Sequence, residues 1–378
     1  MTNIRNALMQ AAGTAAAGGA TYVEDVFNTT LFTGNSGDNR DFVTGLDMSG
    51  EGGMCWFKTR SHANSNEIYD TVRGVNKVLF SDVSNAETTQ TSSLTAFNND
   101  GFELSSNISV NVINRESVGW SFRKQEGFFD IVTWTGNGSG SDVTISHNLG
   151  STPGMIIVKS SSHTNTWSVY HTGAGNTAHG YLSETDAFGS GADWSATSTT
   201  FNADDSLAHN DSGKTYIAYL FASGNDSASQ IFGDDGDEAI IKTGSFTPTG
   251  SGTAKQTINL GFEPQWLIIK NATSSQSGNW WIFDNMRGFT AGDGSGSEYL
   301  LADTDGAASA FGAGTLNITS QGFEMVNNAF VSSSQTFIYT AIRRGPMKEP
   351  SAGTDVYNAV TFTGTGSAAD IDSGFPVD

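Results

Sequence analysis

Cys55 is the only cysteine in 378 residues, so it is the single side chain able to act as a thiolate, and no intrachain disulfide or CxxC metal site can form around it. It sits in the apolar run GMCWFK, residues 53–58. Nothing there would lower its pKa, and a free cysteine in such a run reads as a small buried hydrophobe. The six histidines are His62, His147, His163, His171, His179 and His209. Five fall between residues 147 and 209, which raises a metal or acid/base site. None forms an HxH or HExxH pair, however, and most lie in Ser/Thr/Asn-rich stretches, so they read as solvated loop residues.

Asp70 with Arg73 and Asp284 with Arg287 follow equivalent strands at the same spacing. Such a pair can staple a turn, worth at most about 1 kcal/mol if exposed, or grip a sugar. The run GDDGDE, residues 233–238, offers four carboxylates. It raises a calcium site but lacks EF-hand spacing, and otherwise reads as a solvated acidic linker. Lys58, Lys159 and Lys270 each close an apolar strand, where a lysine guards against edge pairing or, in the sharper alternative, contacts a receptor. Trp281 aligns with the polar residues Glu67 and Ser168 while Ile282 aligns with Ile68 and Val169. Alternation therefore sets Trp281 on the outer face, as a glycan or partner contact or as a ring covered by a loop. Neither a P-loop nor a GxSxG elbow occurs, so no catalytic residues and no enzymatic activity are expected.

The elements that would carry these residues recur along the chain. GMCWFK, GMIIVK and QWLIIK end on lysines 101 and 111 positions apart. Upstream of them lie LFTGN, TWTGN and SFTPTG. Downstream come IYDTVRG, VYHTGAG and IFDNMRG, and each repeat closes on a strand: VGWSFR, IAYLFA, IYTAIR. Landmarks in a fixed order mark internal repeats of about a hundred residues. Short aromatic segments between Gly, Asn, Asp and Ser are strand and turn signals. The expected fold is all-β: three tandem antiparallel β-sandwich or jelly-roll-like repeats with a short N-terminal helical arm. The repeats are placed at 23–126, 127–238 and 239–346. The arm is placed at 1–22, with Ile4, Leu8 and Met9 as its anchoring face. Residues 347–378 read as a linker and the start of a fourth repeat, because TFTGTG and GFP repeat earlier landmarks; a longer natural product is the corresponding expectation.

Eighteen Lys and Arg against 39 Asp and Glu give a formal net charge of -21. A surface this acidic repels phosphate backbones and anionic lipid, so nucleic acid and membrane partners are not expected. The N-terminal apolar run is broken by Gln10, Gly13 and Gly18, so neither a signal peptide nor a membrane span is read there.

The aromatic-TGNG turn, NLGSTPGMIIVK and NLGFEPQWLIIK, IFDNMRG, the GFE strand and the closing IYTAIRR together resemble repeat units of virion structural proteins, often tail-fibre-like, of marine bacteriophages. The resemblance spans residues 23–378. It implies a virion location and a structural or adhesive role: a tail fibre anchored by its arm to other virion proteins near the tail adaptor or portal and touching a host-surface glycan or protein. The alternatives are a capsid head fibre or decoration protein, and a carbohydrate-binding or polysaccharide-degrading tail protein. Fibre analogy implies a homotrimer, with the three repeats strung into a rod on the order of 100 Å long. It implies no cofactor apart from the calcium possibility. Repeat 2 departs from the pattern at YHTGAG.

Overall fold

The computed structural model describes residues 20–248, 255–275, 278–289, 291, 296–312, 315–326, 335–348 and 361. The expected helical arm with Ile4, Leu8 and Met9, and nearly all of the expected fourth repeat, lie outside these residues. Within them the chain is all-β, with many short antiparallel strands and a few single turns of 3-10 helix. No described helix is long and apolar enough to cross a membrane.

Unit 1 runs β1 (Phe27–Thr33), β2 (Arg40–Val43), β3 (Gly53–Thr59), β4 (Glu67–Asp70), β5 (Lys77–Phe80), β6 (Thr88–Thr89), β7 (Leu94–Phe97), β8 (Gly101–Leu104) and β9 (Glu116–Arg123). Unit 2 runs β10 (Phe129–Thr135), β11 (Val143–Ser146), β12 (Pro153–Ser160), β13 (Ser168–His171), β14 (Ala178–Tyr181), β15 (Gly189–Ser190), β16 (Thr200–Ala203) and β17 (Thr215–Ala222). A small hairpin follows, β18 (Gln230–Phe232) and β19 (Glu238–Ala239). Unit 3 then runs β20 (Ile241–Phe246), β21 (Lys255–Asn259), β22 (Pro264–Asn271), β23 (Trp280–Asp284), β24 (Glu298–Leu301), β25 (Ser309–Ala310), β26 (Leu316–Thr319), β27 (Gly322–Val326) and β28 (Phe337–Arg343).

The main sheets share one topology: β1-β9-β3-β4-β5-β6, β10-β17-β12-β13-β14-β15 and β20-β28-β22-β23-β24-β25. The lysine-ending strand therefore lies between the closing strand and the strand before the Asp-x-x-Arg turn or, in unit 2, before the YHTGAG turn. Smaller sheets, β2-β8-β7, β11-β16 and β21-β27-β26, belong to the same three units.

Period-2 alternation sends each main sheet's residues to two faces, and both faces are buried. In β3 one face carries Cys55 and Phe57, which join Phe42, Leu94, Phe102 and Leu104 of the small sheet in a local core. The opposite face carries Met54 and Trp56, which enter a larger core shared by all three units. At its centre Phe122 packs on Phe27, Phe129, Phe221 and Trp266, with ring centroids 5.0 to 5.6 Å apart. Those five rings come from all three units.

This arrangement corrects the rod. Beads on a string would keep units 1 and 3 apart, yet Trp120 of unit 1 bonds Asp284 of unit 3, and Asn64 of unit 1 bonds the backbone of Asp305. The apolar faces that a lone unit would leave in water are instead buried against both siblings.

Candidate functional site: the seams between units

Each seam is built twice, from a turn and from a lysine strand, and both devices repeat cyclically. The turn after β4 begins with Asp70, whose Oδ1 accepts the N–H groups of Val72 and Arg73 at 3.1 and 2.8 Å. Its Oδ2 receives Arg73 Nε at 2.5 Å. Gly74 closes the turn at φ 87°, as Gly175 and Gly288 do at 100° and 98° in the sibling turns; a Cβ resists this left-handed backbone. The tip of the turn then reaches the next unit. Tyr219 of β17 donates its hydroxyl to Asp70 at 2.7 Å and accepts from Arg73 Nη2 at 3.3 Å. Unit 3 repeats this against unit 1: Arg287 Nε bonds Asp284 at 2.6 Å, the indole N–H of Trp120 donates to the same carboxylate at 2.9 Å, and the guanidinium lies over that indole at 5.5 Å.

The expected turn staple is thus present, and it is buried rather than exposed. Arg73 and Arg287 side chains are 5% and 0% exposed, because the neighbouring unit covers them. A buried pair is a different object from a surface one: removing either partner strands a charge in a medium that cannot solvate it.

Unit 2 fills the same place with His171, and Ala174 stands where the siblings have arginine. His171 Nδ1 accepts the Gly173 N–H at 3.0 Å, so the ring proton sits on Nε2 and is donated to the Tyr339 carbonyl at 3.0 Å, with Thr340 Oγ1 at 3.3 Å. A second proton would face an N–H donor. Burial therefore pushes this histidine down to about 4, and His209, buried inside unit 2, goes down to about 3 for the same reason. Both remain neutral in the fold while an unfolded chain protonates near pH 6.5, so the unfolded state binds more protons between those values. Stability is accordingly expected to fall as pH drops from 6.5 towards 4. Urea midpoints of wild type and His171→Gln across that range should show a shallower acid slope for the variant. The reading of the histidines as solvated loop residues is corrected for His147, His171 and His209, all buried.

The lysine device runs the other way round the ring. Lys58, Lys159 and Lys270 are each 0% exposed, on the face turned towards the sibling units. Lys58 Nζ reaches the Thr304 carbonyl of unit 3 at 3.2 Å, Lys159 the Ser84 carbonyl of unit 1 at 3.1 Å, and Lys270 the Glu184 carbonyl of unit 2 at 3.3 Å. Lys58 also bonds the Asn64 carbonyl and Lys270 that of Gly278. Beside them, Trp167 donates its indole N–H to Phe80 O at 2.9 Å and Trp280 to Tyr181 O at 2.9 Å, while Asn66 takes the equivalent role on Leu301 O at 3.1 Å. Neither edge guarding nor receptor contact describes these lysines: they are clamps on a neighbour's backbone.

Burial pushes all three ammonium groups down to about 8. An unfolded lysine holds its proton to about pH 10.4, so between 8 and 10 the unfolded chain binds more protons and stability rises with pH, by up to ~1.4 kcal/mol per pH unit for each lysine. Cys55 and the buried tyrosines act in the opposite direction at higher pH, since burial raises Cys55 to about 12 and Tyr219 well above its ordinary value. The lysine contribution is isolated by subtraction. Lys159→Met measured against wild type from pH 7 to 10 should lose part of the upward slope; unchanged slopes would contradict a buried charged clamp.

The remaining candidates are scattered. Cys55 lies in the local core of unit 1, its Sγ 3.7 Å from Ser121 Oγ. Trp281 is 4% exposed and belongs to the local core of unit 3, against Phe311, so of the two readings the covered ring fits and an exposed glycan or partner contact does not. The sequence signal misled because its aligned partner Glu67 is itself buried, bonded by Tyr69 Oη at 2.8 Å and the Ser109 N–H at 3.1 Å. Polar in sequence is not exposed in space. GDDGDE forms the β18–β19 turn, where Asp234 accepts from Tyr22 and Glu238 pairs with Arg343. Among the described residues no group of three His, Cys, Asp or Glu side chains comes together to hold a metal ion.

Sequence reasoning did not single out Trp120, Tyr219 and Thr340, the residues that receive the turns. They occupy one register position, opposite Thr29, Ile131 and Thr243 of the adjoining strands. The available signal was covariation between repeats: Asp-x-x-Arg turns meet an aromatic donor and the His turn meets threonine.

No curated protein matches the chain. A family model described as "Domain of unknown function (DUF7483)" matches residues 23–346, the span of the three units and their seams, and the chain belongs to that family.

Proposed function

We propose that this is a non-enzymatic structural protein of a bacteriophage particle, most simply a fibre-like component that contributes to host-surface attachment. The observation that carries the reading is where the repeated ionisable groups go. The Asp-Arg turns, His171 and the three clamp lysines hold units to one another, the pattern of a module made for mechanical integrity. The repeat landmarks resembling marine phage virion proteins supply the setting, and we read each unit as one β-sandwich repeat of that kind.

The homotrimer invoked by analogy becomes unnecessary, since one chain provides three units round an axis. The proposal therefore expects one chain, 39.8 kDa, by light scattering; three times that mass would restore the trimer. Antibody-gold labelling of purified virions tests the setting. Label on the tail supports the fibre, label on the head supports a head fibre or decoration protein, and no label on intact particles rejects both. Anchoring by the N-terminal arm remains part of the proposal.

A further inference from the structure

We infer that the turn and strand residues at the three seams form a matching code that fixes the cyclic order of the units. Three units on a ring have two possible orders, and every unit touches both others in each. The connectors from β9 to β10 and from β17 to β20, the second of which carries the β18–β19 hairpin, join units that are neighbours in either order and so do not by themselves choose between them. The side chains do. In the observed order the Asp70/Arg73 turn meets Tyr219, the His171 turn meets Thr340, and the Asp284/Arg287 turn meets Trp120.

Reversing the order would set Asp70 and Arg73 against Thr340, too short to reach a carboxylate that now receives a phenol. It would set His171 against Trp120, whose indole would bring an N–H donor to an imidazole that is itself donating at Nε2. Only the third pairing, Asp284/Arg287 with Tyr219, would keep its chemistry. In the observed order every turn bonds its receiver, though Asp284 Oδ1 and Arg287 Nη1 are left without a partner, and the reverse order has two mismatches. Buried polar groups left without partners cost far more than the same groups in water, so two mismatches suffice to exclude the alternative ring. Gly154 and Gly173 enforce the fit at the seam between units 2 and 3. A Cβ on Gly154 would lie 2.2 Å from Thr243, and one on Gly173 would lie 2.8 Å from the Gly244 carbonyl.

The test exchanges letters without changing composition. Trp120→Thr with Thr340→Trp mismatches two seams of the native order. So does exchanging the turns alone, by His171→Asp, Ala174→Arg, Asp284→His and Arg287→Ala. Making both exchanges rematches every seam. In full-length chains each exchange alone should raise the unfolding equilibrium constant at least a hundredfold, and the combined variant should return to within about tenfold of wild type. Combined losses that simply multiply would overturn the code. If an exchanged chain does not fold, Tyr219→Phe decides. It should cost at least fivefold in wild type and nothing in Asp70→His/Arg73→Ala, whereas an equal cost in both backgrounds overturns the inference.

Discussion

Phe122→Ala is expected to destabilise the whole chain by about 3–5 kcal/mol, the cost of deleting a fully buried aromatic side chain whose surroundings cannot close over the gap. Collapse is blocked because Phe122 is held by rings from three separate sheets, Phe27 on the adjoining strand and Phe129, Phe221 and Trp266 from the sibling units. Domains typically retain only 5–15 kcal/mol of net stability, so the variant should approach the edge of folding. Phe97→Ala, at a half-buried ring on the small sheet of unit 1, should cost far less. Hydrogen exchange distinguishes a shared core from three private ones. Phe122→Ala should lose protection in β12 and β22 as well as β3, and loss confined to unit 1 would contradict a common centre.

The second large effect concerns charge. Arg287→Met should cost about 3–5 kcal/mol, because it leaves the Asp284 carboxylate buried with the Trp120 N–H as its remaining side-chain partner. Asp284→Asn combined with Arg287→Met should recover a substantial part of that loss, since the stranded charge is then gone. Chemical denaturation of the four proteins in the cycle measures the coupling. Independent, additive losses would mean that the pair is solvated, as an exposed staple would be.

How far the sequence revealed this molecule differs by level. The repeats, the strands and the alignment of Ile282 with Ile68 and Val169 were visible because turn chemistry and period-2 alternation are local. The packing of unit on unit was not, because alternation shows that a strand has two faces without showing what covers the second. Trp281 shows the consequence: Ile282 does lie on the opposite face, yet both faces are buried. The lysines were found as a repeated feature and misjudged for the same reason. Strand ends are ordinarily wet, and only closure of the ring brings a neighbour's carbonyls to Lys58, Lys159 and Lys270. YHTGAG stood out as a departure, and its meaning appears when Thr340 is set beside it.

Small-angle scattering tests the ring most directly. Three units closed on one core should give a radius of gyration near 20 Å, whereas three such units strung in line would give roughly 30 Å. A value near 20 Å at neutral pH, unchanged with concentration, is the predicted result; a value near 30 Å would contradict the seams and everything built on them.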